Sequence, residues 1–183
     1  PHYHSVRPDY KKYGFDETHI TEDARGGEWL DWVEQEHPDY YDAVLATIWP
    51  THLPAFENYG PEDRNLRERI EKLREEWSWD DCDYPASWHE YPLPFPKEIS
   101  QTEWITGHAE SFLRNMQEKE PFFAQVSYVQ PHGPFCPPGE YMERVNREMI
   151  PEPCPAEWQQ DPAAPAALSQ LARDDGIPEN WRT

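Results

Sequence analysis

Apolar residues recur with helical spacing in two stretches of the chain. Over residues 62–77, Leu66, Ile70, Leu73 and Trp77 fall at i, i+4, i+7 and i+11 and predict one buried stripe. The opposite face alternates Arg64, Glu68, Arg69, Glu71, Lys72, Arg74 and Glu75, as a solvated helix face does. Pro61 stands where a helix start tolerates it, because the first N–H groups have no partner inside the helix. Over residues 100–118 the start signal is stronger. Ser100-x-x-Glu103 is a capping box, and Trp104, Ile105, Ala109, Phe112, Leu113 and Met116 form one stripe behind it. Pro121 follows the end.

Shorter patterns fill the spaces between these helices. Residues 28–36 (EWLDWVEQE) predict a short helix with Trp29, Leu30 and Val33 on one side and Pro38 just beyond. Residues 42–49 (DAVLATIW) form an apolar run too short to assign to helix or strand by period. Residues 122–129 (FFAQVSYV) are almost continuously apolar and rich in β-formers, the pattern of a strand covered on both faces by helices in a parallel sheet. Residues 1–27, 78–97 and those beyond 137 are punctuated by proline, glycine and polar residues and read as loop, with a short helix near 165–173. Helix, turn and buried strand together make half of an α/β unit, so the expected fold class is α/β.

Charge narrows the range of partners. Among 183 residues there are 16 Lys and Arg against 36 Asp and Glu, a formal net charge of −20. Neutralising nucleic-acid phosphates requires clustered basic residues, and an anionic membrane surface repels such a chain, so neither is an expected partner. No apolar run is long enough for a transmembrane helix. The 21 prolines would suit disorder, but aromatics make up 14% of the chain, including nine Trp, and large rings in that number are usually buried. Cys82, Cys136 and Cys154 are widely spaced and odd in number, so they predict free thiols rather than a disulfide framework.

Two histidine segments could carry chemistry. Pro131-His132-Gly133-Pro134-Phe135 follows directly on the predicted buried strand, and ligands in open α/β sheets bind beyond strand carboxyl ends. His2-Tyr3-His4 places two rings with period-two spacing, a metal-ligand pattern when it ends a strand, but no strand precedes it here. His19, His37, His52, His89 and His108 show no partner pattern, and His108 falls near the apolar stripe of its helix. Asp80-Asp81-Cys82-Asp83 has the composition of a cation site without EF-hand spacing and reads as a solvated turn. The Trp- and Pro-rich residues 77–96 suit a loop with aromatic anchors, or a sugar-stacking surface.

The block running from Pro121-Phe122-Phe123 through Ser127 to Pro131-His132-Gly133-Pro134-Phe135, then Pro137-Pro138-x-x-Tyr141, resembles the central segment of type I sulfatases. Gln101-Thr102-Glu103-Trp104-Ile105 is similar to the helix that family places before it. Tyr13-Gly14-Phe15-Asp16-Glu17 resembles the segment that follows the family's G-K-x-H motif, which makes Pro1-His2 similar to that motif's last two residues. The resemblance covers most of residues 1–153. It implies a fragment of an alkaline-phosphatase-like α/β/α sandwich with a mostly parallel sheet. Residues 1–183 would then form a single incomplete domain, the middle of a sulfatase catalytic domain.

The same resemblance implies the chemistry. In this family a formylglycine, made from the Cys or Ser of a C/S-x-P-x-R motif, attacks sulfur as its hydrate, and a divalent cation (Ca2+, or Mg2+) holds the sulfate. The C/S-x-P-x-R motif, the metal-binding Asp-Asp that the family carries near its start and the Asp-Asn/His pair near its end have no match here, so nucleophile and metal ligands are expected outside this chain. His132 aligns with the histidine beside the sulfate and leaving group, and so is implied as catalytic and substrate-binding. His2 is similar to the histidine that assists the formylglycine, with His4 as the second candidate. The implied function is sulfuric ester hydrolysis by a longer protein, on a sulfated small molecule or sulfated carbohydrate, with the present piece inactive alone. The alternatives are a phosphodiesterase or phosphonate monoester hydrolase of the same superfamily, or a non-catalytic acidic carbohydrate-binding module.

Overall fold

The computed structural model describes residues 11–60, 64–76, 91–116 and 121–151. It falls into two units, residues 1–139 and 140–183. The first contains α1 (Glu28–Glu36), α2 (Tyr41–Ala46), α3 (Arg67–Glu76) and α4 (Gln101–Asn115). A 3-10 segment, Pro50–Phe56, connects α2 towards α3. A short helix, α5 (Gly139–Met142), and a 3-10 turn, Arg147–Met149, account for the regular structure beyond.

The core is built by the stripes that the sequence pattern predicts. Trp29, Leu30 and Val33 of α1 are fully buried, as are Val44, Leu45 and Ile48 around α2, and Ile70 of α3. Phe56 and Tyr59 stack at 5.3 Å in the same cluster. Trp29 donates from Nε1 to the Ile99 carbonyl (2.9 Å), so its one polar atom is satisfied within the core. The backbone N–H of Gly27, which starts α1, donates to the Tyr59 hydroxyl (3.0 Å). Gly27 has φ 103°, a conformation that a side chain there would strain. Residues 42–49, open between helix and strand in the sequence, are helical through Ala46, where packing against α3 decides.

At α4 half of the predicted capping box is present: Ser100 Oγ accepts from the Glu103 backbone N–H at 3.3 Å, while the Ser100 N–H donates to the Lys97 carbonyl (2.9 Å). Of the predicted stripe only Trp104 is buried, and Leu113 near the other end is 58% exposed. The following residues lie along this half-covered helix. Phe122 meets Phe112 edge-on at 5.6 Å, the Tyr128 hydroxyl lies 3.1 Å from Thr106 Oγ1, and Thr102 donates to Gln130 Oε1 (3.1 Å).

The expected α/β/α sandwich with a mostly parallel sheet is therefore corrected. Among the described residues there is no strand, only isolated bridges at Thr21–Gly27 and Tyr59–Arg64. Residues 122–128 form no regular secondary structure and are exposed, with Phe123 at 77% and Phe122 at 53%. The physical reason is that a strand exists only through a ladder with neighbours. Among the described residues no backbone hydrogen bond joins 122–128 to another segment. Apolar content identified a surface suited to burial without supplying the layers that would bury it. No helix among the described residues is long and apolar enough to cross a membrane.

Candidate active site around His132

The loop after residues 122–129 turns back at once. His132 N–H donates to the Val129 carbonyl (3.0 Å), and His132 Nδ1 lies 2.9 Å from the Gly133 carbonyl oxygen. A carbonyl oxygen only accepts, so Nδ1 carries the proton and Nε2 is the position at which this ring exchanges protons. The peptide bonds Gln130–Pro131 and Gly133–Pro134 are cis. Two backbone bonds pin the loop further on: Tyr91 N–H to Phe135 O (3.0 Å) and Leu93 N–H to Pro137 O (2.9 Å). His132 stays exposed while Gly133 and Pro134 beside it are buried.

Two further segments, far apart in sequence, meet this loop. Trp49 and His52 come from the start of the Pro50–Phe56 segment, where Pro50 opens a 3-10 turn and His52 N–H bonds back to the Trp49 carbonyl (2.9 Å). The Trp49 ring centroid lies 6.0 Å from that of His132 and 6.2 Å from that of His52. Arg25 comes from a tight turn in which its N–H bonds to the Glu22 carbonyl (2.9 Å). Its backbone is left-handed, φ 63°, which costs a non-glycine residue about 1 kcal/mol or more. That turn is held from α4 by the buried Gln101, whose Nε2 donates to Thr21 Oγ1 (2.7 Å) and the Glu22 carbonyl (2.9 Å). The Arg25 side chain is only 3% exposed, and its Nη2 donates to Cys136 Sγ at 2.9 Å. Cys136 is a free thiol, as expected for that cysteine; Cys82 and Cys154 lie outside the described residues.

Charge and burial act together on His52. Burial pushes its imidazole below the ordinary 6.5, the Asp23 carboxylate opposes this, and His132 and Arg25 add to the lowering. His52 Nδ1 and Arg25 Nε are both buried and lack a hydrogen-bond partner.

A second histidine pair sits at α4. His108 stacks on His19 at 3.8 Å and meets Trp104 edge-on at 4.4 Å, so it packs as its place beside the apolar stripe predicts. His19 is held by Glu17 (2.8 Å) and Glu28 (3.4 Å). Burial and the neighbouring His19 push His108 below 6.5, with Glu17 opposing. A separate surface hollow of about 480 Å³ is lined by Glu57, Asn58, Asn65, Arg67, Glu68 and Glu71 and shares no residue with the His132 group.

Of the histidines singled out in the sequence, His132 is thus placed in a defined cluster. His2 and His4 lie outside the described residues, as do residues 80–83. No local motif pointed to Arg25, Trp49 or His52; the one signal available was the turn-forming Asp23-Ala24-Arg25-Gly26-Gly27, which reads only as a break. Among the described residues no group of three or more His, Cys, Asp and Glu side chains is arranged to hold a metal ion. The His132 cluster offers imidazole, guanidinium and thiol, whereas calcium and magnesium take oxygen ligands, so these residues do not fit that group.

Comparison with known proteins gives one relevant likeness. Over 78 residues, 43% of this chain, the sequence is 33% identical to the arylsulfatase of Clostridium perfringens (strain 13 / Type A). The chain spans 16% of that protein's length. The likeness marks a sulfatase-related region. No family model matches the chain, and no solved structure matches it.

Proposed function

We propose that this chain is part of a sulfuric ester hydrolase, with His132 protonating the departing alcohol oxygen. The observation that carries the reading is the 33% identity to an arylsulfatase. The cluster around His132 supports it in chemical terms. Expelling an alkoxide is costly, and an imidazole, with an ordinary pKa of about 6.5, can deliver a proton near neutrality. With Nδ1 donating to the Gly133 carbonyl, proton delivery falls to Nε2. Substrates of this reading are sulfated small molecules or sulfated carbohydrates. The formylglycine nucleophile, the divalent cation and the assisting role of His2 belong to the same proposal, the first two supplied from outside these residues.

The test uses the longer protein encoded by the reading frame that contains these 183 residues. It should release sulfate from 4-nitrophenyl sulfate. His132→Gln should lower turnover by about 10²-fold or more, with a smaller loss on esters of more acidic phenols, whose departure needs less protonation. Hydrolysis of phosphonate or phosphate diesters in place of the sulfate would assign the protein to the related esterases instead. Unchanged turnover in His132→Gln would remove His132 from the mechanism.

A further inference from the structure

We infer that Cys136 is a redox modification site, at which hydrogen peroxide converts the thiol to a sulfenate that pairs with the buried guanidinium of Arg25. The inference stands apart from the ester-hydrolase reading, and either can fail without the other. Arginine is almost never fully buried unless paired with an anionic group. Arg25 is 3% exposed, and among the described residues its side chain makes one hydrogen bond, from Nη2 to Cys136 Sγ at 2.9 Å. Its Nε is buried without a partner, and no carboxylate pairs with it among the described residues. Asp23, two residues away, accepts from the Ala24 N–H instead (2.8 Å). The guanidinium is held in this place, because Gln101 of α4 clamps its turn through Thr21 Oγ1 and the Glu22 carbonyl. A buried cation therefore rests on a sulfur and lacks an anion.

A neutral thiol sulfur is only a weak acceptor for such a donor. Cys136 is a free thiol and is partly exposed, which leaves it open to a small reagent, while the Arg25 guanidinium beside it is closed to solvent. The sulfur, as thiolate, attacks one oxygen of hydrogen peroxide. An S–O bond forms as the O–O bond breaks, the sulfur gives up two electrons, and hydroxide leaves and takes the thiol's proton to become water. The resulting sulfenic acid releases its proton to solvent, and the sulfenate supplies the charge that Arg25 lacks. Nε and Nη2 share one edge of the planar guanidinium, the edge that pairs with oxyanions. With Nη2 at the sulfur, Nε is the adjacent donor for an oxygen added there. Cys136 stands between Phe135 and Pro137, whose carbonyls accept from Tyr91 and Leu93. Oxidation thus turns a neutral contact between the His132 loop and the Arg25 turn into an ion pair.

The experiment exposes the 183-residue chain, carrying Cys82→Ser and Cys154→Ser so that no second thiol competes, to hydrogen peroxide. Loss of free thiol gives the rate, and dimedone trapping with mass spectrometry identifies the sulfenate. Cys136 should be oxidised about tenfold or more faster in the folded chain than in the same chain unfolded in urea, because only the folded chain places Arg25 at the sulfur. Greater accessibility alone would make the unfolded chain the faster one. Arg25→Gln should slow the folded reaction about tenfold, and dithiothreitol should return the parent chain to the thiol. A folded rate equal to or below the unfolded rate overturns the inference. So does the absence of a dimedone adduct at Cys136, or an unchanged rate in Arg25→Gln that keeps its helical circular dichroism. If that variant loses its helical signal, the ratio of folded to unfolded rates in the parent chain decides alone.

Discussion

A Cβ built on Gly133 would fall 2.3 Å from both Cη2 and Cζ2 of Trp49, far inside van der Waals contact. The backbone next to His132 therefore lies directly against the indole, and only glycine permits that approach. The same indole neighbours both His132 (6.0 Å) and the half-buried His52 (6.2 Å), so the Gly133 contact bears on how the loop histidine stands.

Replacing Gly133 with Ala should therefore displace the His132 loop. The obstructing atoms belong to a rigid bicyclic ring rather than to the tip of a flexible chain, so the cost is that of overpacking, about 1–3 kcal/mol in urea unfolding. Trp49→Phe removes the ring edge that carries those atoms. The double variant Gly133→Ala/Trp49→Phe should recover at least about 0.5 kcal/mol relative to the sum of the single changes. Strict additivity would mean that the two residues do not press on each other.

Stability should also depend on His52. Its folded-state pKa is held below the ordinary 6.5 by burial, so the unfolded chain binds a proton that the folded chain refuses. By linkage, stability is highest above pH 6.5 and falls as pH drops from there towards the lowered folded value. Glu34 acts in a separate, more acidic window. Its hydrogen bond to Arg64 (2.8 and 2.9 Å, one to each oxygen) lowers its pKa below 4.5, so its contribution is lost only as pH falls from about 4.5 towards that folded value. Urea unfolding between pH 8 and 5 should show a decline that His52→Gln makes shallower, the similarly lowered His108 accounting for the remainder, and that Glu34→Gln leaves in place. An identical slope in wild type and His52→Gln would remove His52 as the source.

The helical part of this architecture was readable before any coordinates. Trp29, Leu30 and Val33, and likewise Leu66, Ile70 and Leu73, recur at the helical period and are buried where that period puts them. Ser100 caps α4 because a hydroxyl at that offset reaches a local backbone N–H, a relation that needs no tertiary context. Residues 122–129 went the other way, since a strand is defined by partners that lie elsewhere in space. The site divides along the same line. The Pro131–Phe135 segment around His132 is contiguous and therefore visible, whereas Arg25, Trp49 and His52 meet it only through turns whose side-chain direction no local pattern encodes.

Tyr41 offers a test of how this core treats a polar atom without a partner. Its ring is buried, with Arg69 stacked over it at 5.2 Å, and its hydroxyl makes no hydrogen bond. Burial, reinforced by Glu34, pushes the phenol up to about 12. Tyr41→Phe keeps the ring and its stacking and deletes the unsatisfied group. The variant should be neutral or more stable by up to about 1 kcal/mol in urea or thermal unfolding. A clear loss of stability would show that the hydroxyl is satisfied in solution.

The exposed run at 122–128 should make the isolated chain self-associate. It contains no charge, proline or glycine, and leaves Phe122, Phe123, Val126 and Tyr128 open to solvent. Such a segment combines unpaired backbone groups with β-forming side chains, the combination that recruits another strand. Sedimentation velocity should show association that grows with protein concentration. Phe123→Lys together with Val126→Lys should suppress it by adding two repelling charges to the segment, without lowering the thermal midpoint, because neither residue belongs to the buried core. Association that survives both substitutions would place the adhesive surface elsewhere, with the incompletely covered side of α4 around Leu113 the next to examine.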